Sequence, residues 1–324
     1  LAQIDRGLLL VALIATLAAI PLYTRPSLPT LTDAEMHIYR AAVIETAVRN
    51  GEFYIRWAPD FYFGHGYPVF NYYSPLSYHI AAYFSILTGT NAVAGTKFVL
   101  LLTIYLGAFS MYLFARDRWR SESGLIACAA WVFAPYILYI DPYGRGDVPQ
   151  ALALAIGPAL FWAFDRLRRT GAWHYLALAA VLLGALILSH PLMALALYGL
   201  LLLVLGWSIL VAPNVPRLQT EVDRTPVRAY SLLVAGITLG LLLAAMYWLP
   251  TGFERGAVKL TNVAGPGFFD FRNHFLSVGQ LLGPSPIFDH GATESDFRFN
   301  FGVAQWVLAL AGFLTVFVPR LRRI

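Results

Sequence analysis

Thr32-Asp33-Ala34-Glu35-Met36-His37 places two carboxylates and an imidazole within six residues, just after an apolar run at 7–24. Ionisable groups beside a bilayer are costly, so they call for a structural or a chemical explanation. The structural one is a capping box, in which Thr32 and Glu35 satisfy first-turn amides of a helix that runs to Arg49 and stops at Asn50-Gly51. The chemical one separates the two acids. On a regular helix Asp33 and Glu35 lie about 200° apart, whereas Asp33 and His37, four residues apart, share a face. Asp33 is then the candidate base, His37 its orienter or a metal or phosphate contact, and Glu35 the cap.

The elements that must position these groups are dictated by composition. Hydrophobic residues make up 58% of the 324, charged ones 13%, and the mean hydropathy is +0.62. Those values define an all-α polytopic membrane protein, because the long Leu/Ala-rich runs lack the ten-residue alternation of a transmembrane barrel. Runs of spanning length read as eight helices: 7–24, 93–115, 124–140, 148–165, 173–189, 192–212, 229–250 and 301–319. Leu76–Leu87 is too short to span and carries Tyr78, His79 and Tyr83, so it reads as interfacial or re-entrant. The single cysteine, Cys128, sits in an apolar run and excludes an intramolecular disulfide. The first span reads as an uncleaved anchor, and the whole as one domain within a longer chain.

Eight spans with a cytoplasmic N-terminus put Arg6, Arg116/Arg118/Arg120, Arg166/Arg168/Arg169, Arg217/Arg224/Arg228 and Arg320/Arg322/Arg323 inside. The inner side then carries +7 and the outer −2, as the positive-inside tendency requires. The overall +5 is orientation signal and gives no ground for nucleic-acid binding. Two long segments, 25–92 and 251–300, fall outside, with short turns at Asp141–Asp147 and Ser189–Pro191, so the expected active face is extracytoplasmic in a multi-pass plasma (inner) membrane protein.

The first outer segment is rich in aromatic residues, among them Phe53, Tyr54, Trp57, Phe61, Tyr62, Tyr67, Tyr72 and Tyr73. Such rings suit an interfacial belt and equally suit sugar faces. Met36, Tyr39, Val43 and Ala47 recur at helical spacing and predict an apolar face lying on the bilayer or the bundle. Arg145 and Asp147 read either as a mutual ion pair that caps a helix or with Arg145 binding a phosphate. His190 reads as a packing histidine or a phosphate contact. Asp289 and His290, with Glu294 and Asp296 nearby, are loop acids and a histidine that could ligate a metal.

The acid-bearing helix after the first span, the coil ending Ser74-Pro75-Leu76, the interfacial helix and the span ending Arg116-Asp117-Arg118 together resemble the GT-C fold of integral membrane glycosyltransferases. Gly64–Pro68, Asn71–Leu76, Arg145-Gly146-Asp147 and Ser189-His190 bring the chain near the membrane family labelled "6-pyruvoyl-tetrahydropterin synthase-related". That label does not describe the residues, since no His-x-His zinc motif is present. Gln150 and Pro191 depart from the family pattern, which has an acid and an asparagine at those places.

The resemblance implies transfer of a sugar from a polyprenyl-phosphate donor to a glycan, lipid or protein acceptor. It maps the catalytic acid to Asp33, donor phosphate binding to Arg145 and His190, and support to Glu35, His37, His65, Tyr72 and Asp147. A divalent Mg or Mn on Asp33 and His37, or on Asp289 and His290, is a candidate cofactor, and no nucleotide cofactor is expected. The alternative is a non-catalytic protein that binds or moves a lipid-linked glycan, or an inactive relative.

Overall fold

The computed structural model describes residues 5–28, 33–210, 226–259, 270, 272, 275–283 and 300–315. All its regular elements are helical, apart from one bridge between Ala58 and Tyr67. The order is α1 (Arg6–Thr24), α2 (Ala34–Arg49), α3 (Val69–Tyr72), α4 (Leu76–Thr88), α5 (Ala92–Arg118) and α6 (Ser121–Val132). A π-helix (Tyr136–Arg145) follows, then α7 (Val148–Thr170), α8 (Trp173–Ser189), α9 (Pro191–Leu210), α10 (Pro226–Leu243), α11 (Ala245–Phe253), α12 (Val278–Leu282) and α13 (Val303–Thr315).

All eight expected spans have a helical counterpart. Among the described residues, α1, α5, α6 with the π-helix, α7 and α9 are long and apolar enough to cross a bilayer. α10 and α11 form one broken span bent by 68°, while α8 and α13 are shorter apolar helices. The α1 sequence shows how these helices pack. Leu9, Leu13, Leu17 and Ile20 are exposed, whereas Val11, Ala15, Ala18 and Ala19 are buried. Large apolar side chains face lipid, and small ones let the backbones close on each other. α7 is the central helix, burying most of its length from Val148 to Leu167 against α5 and α8.

Two ends of the bundle differ in kind. At one, Arg116 pairs with Asp5 at 2.8 Å and with Asp117 at 2.9 Å, and Arg118 pairs with Asp165 at 2.6 Å. Arg169 also binds Asp165, so the arginines grouped by sequence do meet. Arg217, Arg224 and the last arginine cluster lie outside the described residues.

At the other end the chain departs from expectation at Asp141 and at the start of α2. Asp141 is not in an exposed turn: the helix after Pro135 continues with π geometry and buries it, so the turn narrows to Gly146 and Asp147. α2 begins after Asp33, not after Thr32, and the Asp33 side chain makes no capping hydrogen bond. Thr32 itself lies outside the described residues. The buried face of α2 is Ala34, His37, Arg40, Ala41 and Ile44, while the stripe begun by Met36 and Tyr39 is exposed. That reversal follows from what α2 packs on, namely α4 and the polar cluster below.

Gly146 decides how closely α2 approaches the π-helix. Its φ is +68°, and a Cβ there would lie 2.4 Å from the Ala34 Cβ and 2.9 Å from its Cα. The approach is secured by the Asp33 N–H, which donates to the Arg145 carbonyl at 2.9 Å. Gly146→Ala should therefore cost about 1–2 kcal/mol for the left-handed backbone and about 1–3 kcal/mol more for overpacking. A denaturant titration in detergent reads this, and an unchanged midpoint would show that α2 does not depend on the close approach.

Candidate functional site

The site forms where α2, α4, the π-helix, the start of α7 and the α8–α9 turn meet. Asp147 is its centre. As N-cap of α7 its Oδ1 accepts from the Gln150 N–H at 3.1 Å, and its Oδ2 accepts from Arg145 Nη2 at 3.1 Å. His37 Nε2 lies 3.6 Å from Oδ1, and His190 Nε2 lies 3.8 Å from Oδ2. The carboxylate is buried, so these groups replace the water it has lost.

Arg145 is held on several sides. Its Nη1 donates to Tyr136 Oη at 2.8 Å and to Gln150 Oε1, and lies 3.8 Å from the buried Asp141 carboxylate. Gln150 Nε2 donates to Tyr136 Oη at 2.9 Å, which closes the cage. Gln150 thus takes part in the site although it departs from the family pattern. Arg145 Nη2 also lies 3.8 Å from Asp33 Oδ2. Asp33 is partly exposed, and burial, then the neighbouring Asp147, raises its pKa above the ordinary carboxylate value, against the pull of Arg145.

His37 does not orient Asp33 through its side chain. Tyr78 Oη accepts from Arg40 Nη1 at 3.0 Å, which leaves its own O–H to donate to His37 Nδ1 at 2.7 Å. Nδ1 is then the acceptor, and the proton sits on Nε2, facing Asp147. Burial, reinforced by Arg40, His190 and Arg145, lowers the His37 pKa to about 3, so the ring is neutral. His190 follows the same logic. Its Nδ1 accepts from the Met193 N–H at 3.2 Å, and burial lowers its pKa, the largest effect at that ring. Its Nε2–H faces Asp147 as a positioning contact. The Tyr73 ring packs under Arg40, with Cζ 4.6 Å from the centroid, and meets His190 edge-on at 6.0 Å.

The remaining sequence candidates fall elsewhere. Tyr72 is a strut: its Oη donates to the Glu254 carbonyl at 2.9 Å, and its own carbonyl accepts from Tyr247 Oη at 3.1 Å. His65 is exposed in the coil beside Tyr62. Glu35 is exposed on the outer face of α2. Asp289 and His290 lie outside the described residues. Among those described, no three His, Cys, Asp or Glu side chains gather as a metal site, and His37 Nδ1 is already engaged. The positive charge at this site is Arg145 and Arg40. Arg40, Tyr73, Tyr78 and Tyr136 escaped the sequence reading. Arg40 could have been found there, being seven residues beyond Asp33 and three beyond His37 on one helical face.

The bundle shares its fold, the GT-C arrangement, with archaeal oligosaccharyltransferases. An archaeal oligosaccharyltransferase, AglB from Archaeoglobus fulgidus in complex with an inhibitory peptide and a dolichol-phosphate, superposes with a TM-score of 0.54 at 15% identity. That match covers 97% of this chain and 37% of the enzyme. An Archaeoglobus fulgidus oligosaccharyltransferase in the apo form matches at 0.52 and 17%, over 98% of this chain and 45% of that one. The chain thus spans under half the length of these structures. Residues 70–320 match the family described as "6-pyruvoyl-tetrahydropterin synthase related domain; membrane protein", and the chain belongs to that family. No curated protein sequence matches it.

A neutral His37 makes stability depend on pH. With its pKa lowered from 6.5 to about 3, the folded state refuses a proton that the unfolded state accepts below about 6.5. The contribution is complete above pH 6.5 and is lost as pH falls toward 3. The thermal midpoint in detergent should decline over that range, and His37→Asn, which keeps an acceptor toward Tyr78, should flatten the decline. Parallel curves would place the acid sensitivity elsewhere.

Proposed function

We propose that this chain is a membrane glycosyltransferase that moves a sugar from a polyprenyl-phosphate donor to an extracytoplasmic acceptor, with Asp33 as general base. One observation carries the reading: Asp33, raised in pKa, stands 3.8 Å from an arginine caged by Tyr136, Gln150 and Asp147. A base and a fixed cation side by side are what displacement at an anomeric carbon beside a phosphate needs. The dolichol-phosphate bound by the archaeal oligosaccharyltransferase is a donor carrier of the same chemical class. Orientation follows from the arginine-rich end, which the positive-inside tendency puts in the cytoplasm with the site facing out.

In the step, the acceptor oxygen attacks the anomeric carbon, its proton passes to the Asp33 carboxylate, and the carbon–oxygen bond to phosphate breaks. The electron pair leaves on the phosphate oxygen, and a single displacement inverts the configuration. The sugar must lie between base and phosphate, so the 3.8 Å pair has to open as donor binds. Asp33 is the partner that moves, since Arg145 is held by its cage. Once the phosphate occupies the guanidinium, Asp33 loses the attraction that restrains its pKa and becomes the stronger base.

Transfer from a radiolabelled polyprenyl-phosphate sugar tests this, with a chelator arm to reveal any metal requirement. Asp33→Asn should lower the rate by about 10²–10⁴-fold, and Arg145→Lys, which loses the planar fork, by at least about tenfold. Wild type should show an acid limb, because the ionised base is lost as pH falls through the raised Asp33 pKa, and the residual activity of Asp33→Asn should lack it. Full transfer by Asp33→Asn would exclude Asp33 as the base.

A further inference from the structure

A groove of about 800 Å³ runs along the exposed face of α2, opposite the coil that follows it. Glu35, Tyr39 and Thr46 line the helix side, and Asp60, Tyr62 and Tyr67 the coil side. Paired hydrogen bonds between Ala58 and Tyr67, at 2.8 and 2.9 Å, pin the base of that coil. At its tip Tyr62 and Phe63 are consecutive non-glycine residues with φ of +54° and +57°. Left-handed backbone at two such residues is strained and persists only where the surroundings impose it. Here it fixes the coil that carries the Tyr62 ring on the groove wall.

The lining specifies its occupant. None of the lining residues is basic, while Glu35 and Asp60 present two carboxylates, so a phosphate or other anion is repelled. Met36, Ala42, Val43 and Phe61 make part of the lining apolar, but a prenyl chain laid on them would strip water from both carboxylates and return no hydrogen bond. A neutral oligosaccharide satisfies both needs, because its hydroxyls donate to the carboxylates and its flat C–H faces lie on the tyrosine rings. The groove is also placed for an acceptor. Its near end, at Glu35 and Met36, lies within one turn of Asp33 but about 200° round the helix from it, so an acceptor reaches the base over the N-terminal end of α2, and from Glu35 to Thr46 the groove runs about 16 Å along the helix. We infer that this groove is the acceptor subsite and that the acceptor is a neutral glycan, an inference that rests on the transferase reading above.

The full chain in nanodiscs is applied to an array of neutral oligosaccharides, and the strongest ligand is titrated calorimetrically against wild type, Tyr62→Ala and Asp60→Asn. Both residues are exposed, so both variants should keep the wild-type unfolding midpoint. Affinity should fall at least tenfold in each. Absence of any neutral glycan ligand, wild-type affinity in both variants, or displacement of the ligand by polyprenyl phosphate would overturn the groove assignment. Transfer activity is measured separately: activity with no glycan bound in the groove overturns the groove alone, and glycan binding without transfer overturns the transferase reading alone.

Discussion

The buried carboxylate of Asp147 is the constraint on which this end of the molecule depends. It caps α7, accepts from Arg145, and faces the Nε2 atoms of His37 and His190. Each of those groups arrives from a different element, so one side chain fixes the mutual positions of α2, the π-helix, α7 and the α8–α9 turn. Removing one member of a buried ionic set typically costs about 3–5 kcal/mol. Both histidines are held neutral by burial, and protonating either would add a charge beside Arg40 and Arg145.

Polarity on α2 is inverted relative to an ordinary amphipathic helix. His37 and Arg40 are buried, and Met36 and Tyr39 lie in the open. Arg40 reaches back to Met36 through a 3.1 Å contact with its sulfur, so the two faces are joined at one residue. The buried side supports the charged centre and the exposed side borders the groove. α11 packs against α3, from elsewhere in the chain. Its Thr251 Oγ1 donates to the Asn71 carbonyl at 2.7 Å, and Glu254 accepts from Asn71 Nδ2 at 2.8 Å.

Much of this was legible in the residues. Apolar runs located every span because hydropathy over some twenty residues integrates many weak preferences, and Asn50-Gly51 marked the end of α2, where Gly51 has φ of +86°. What was not legible depends on single contacts. Nothing in Tyr136–Arg145 announces π geometry, so Asp141 read as a loop acid when it is buried against Arg145. The 68° break after Leu243 carries no proline or glycine at the bend. The apolar stripe of α2 obeyed helical periodicity, but periodicity finds a face without saying what covers it, and here Met36 and Tyr39 are exposed while Val43 and Ala47 pack on the core. Asp33 and Arg145, singled out separately for chemistry, lie 3.8 Å apart, and the partner of His37, Tyr78, comes from a helix 41 residues on.

Charge bookkeeping around Arg145 bears on why the arrangement suits its proposed step. Asp33, Asp141 and Asp147 all lie within 4 Å of one guanidinium, so three carboxyl groups already share that cation before a phosphate enters. An added anion is tolerated only if a carboxylate withdraws or is neutralised. Asp33 can do both, being the most exposed of the three, whereas Asp141 is buried and Asp147 caps α7. As the acceptor proton arrives on Asp33, one negative charge disappears there while another grows on the departing phosphate oxygen. Charge therefore migrates toward Arg145 instead of being created, and the caged guanidinium favours the later charge distribution over the earlier one, which is the condition for binding energy to lower a barrier.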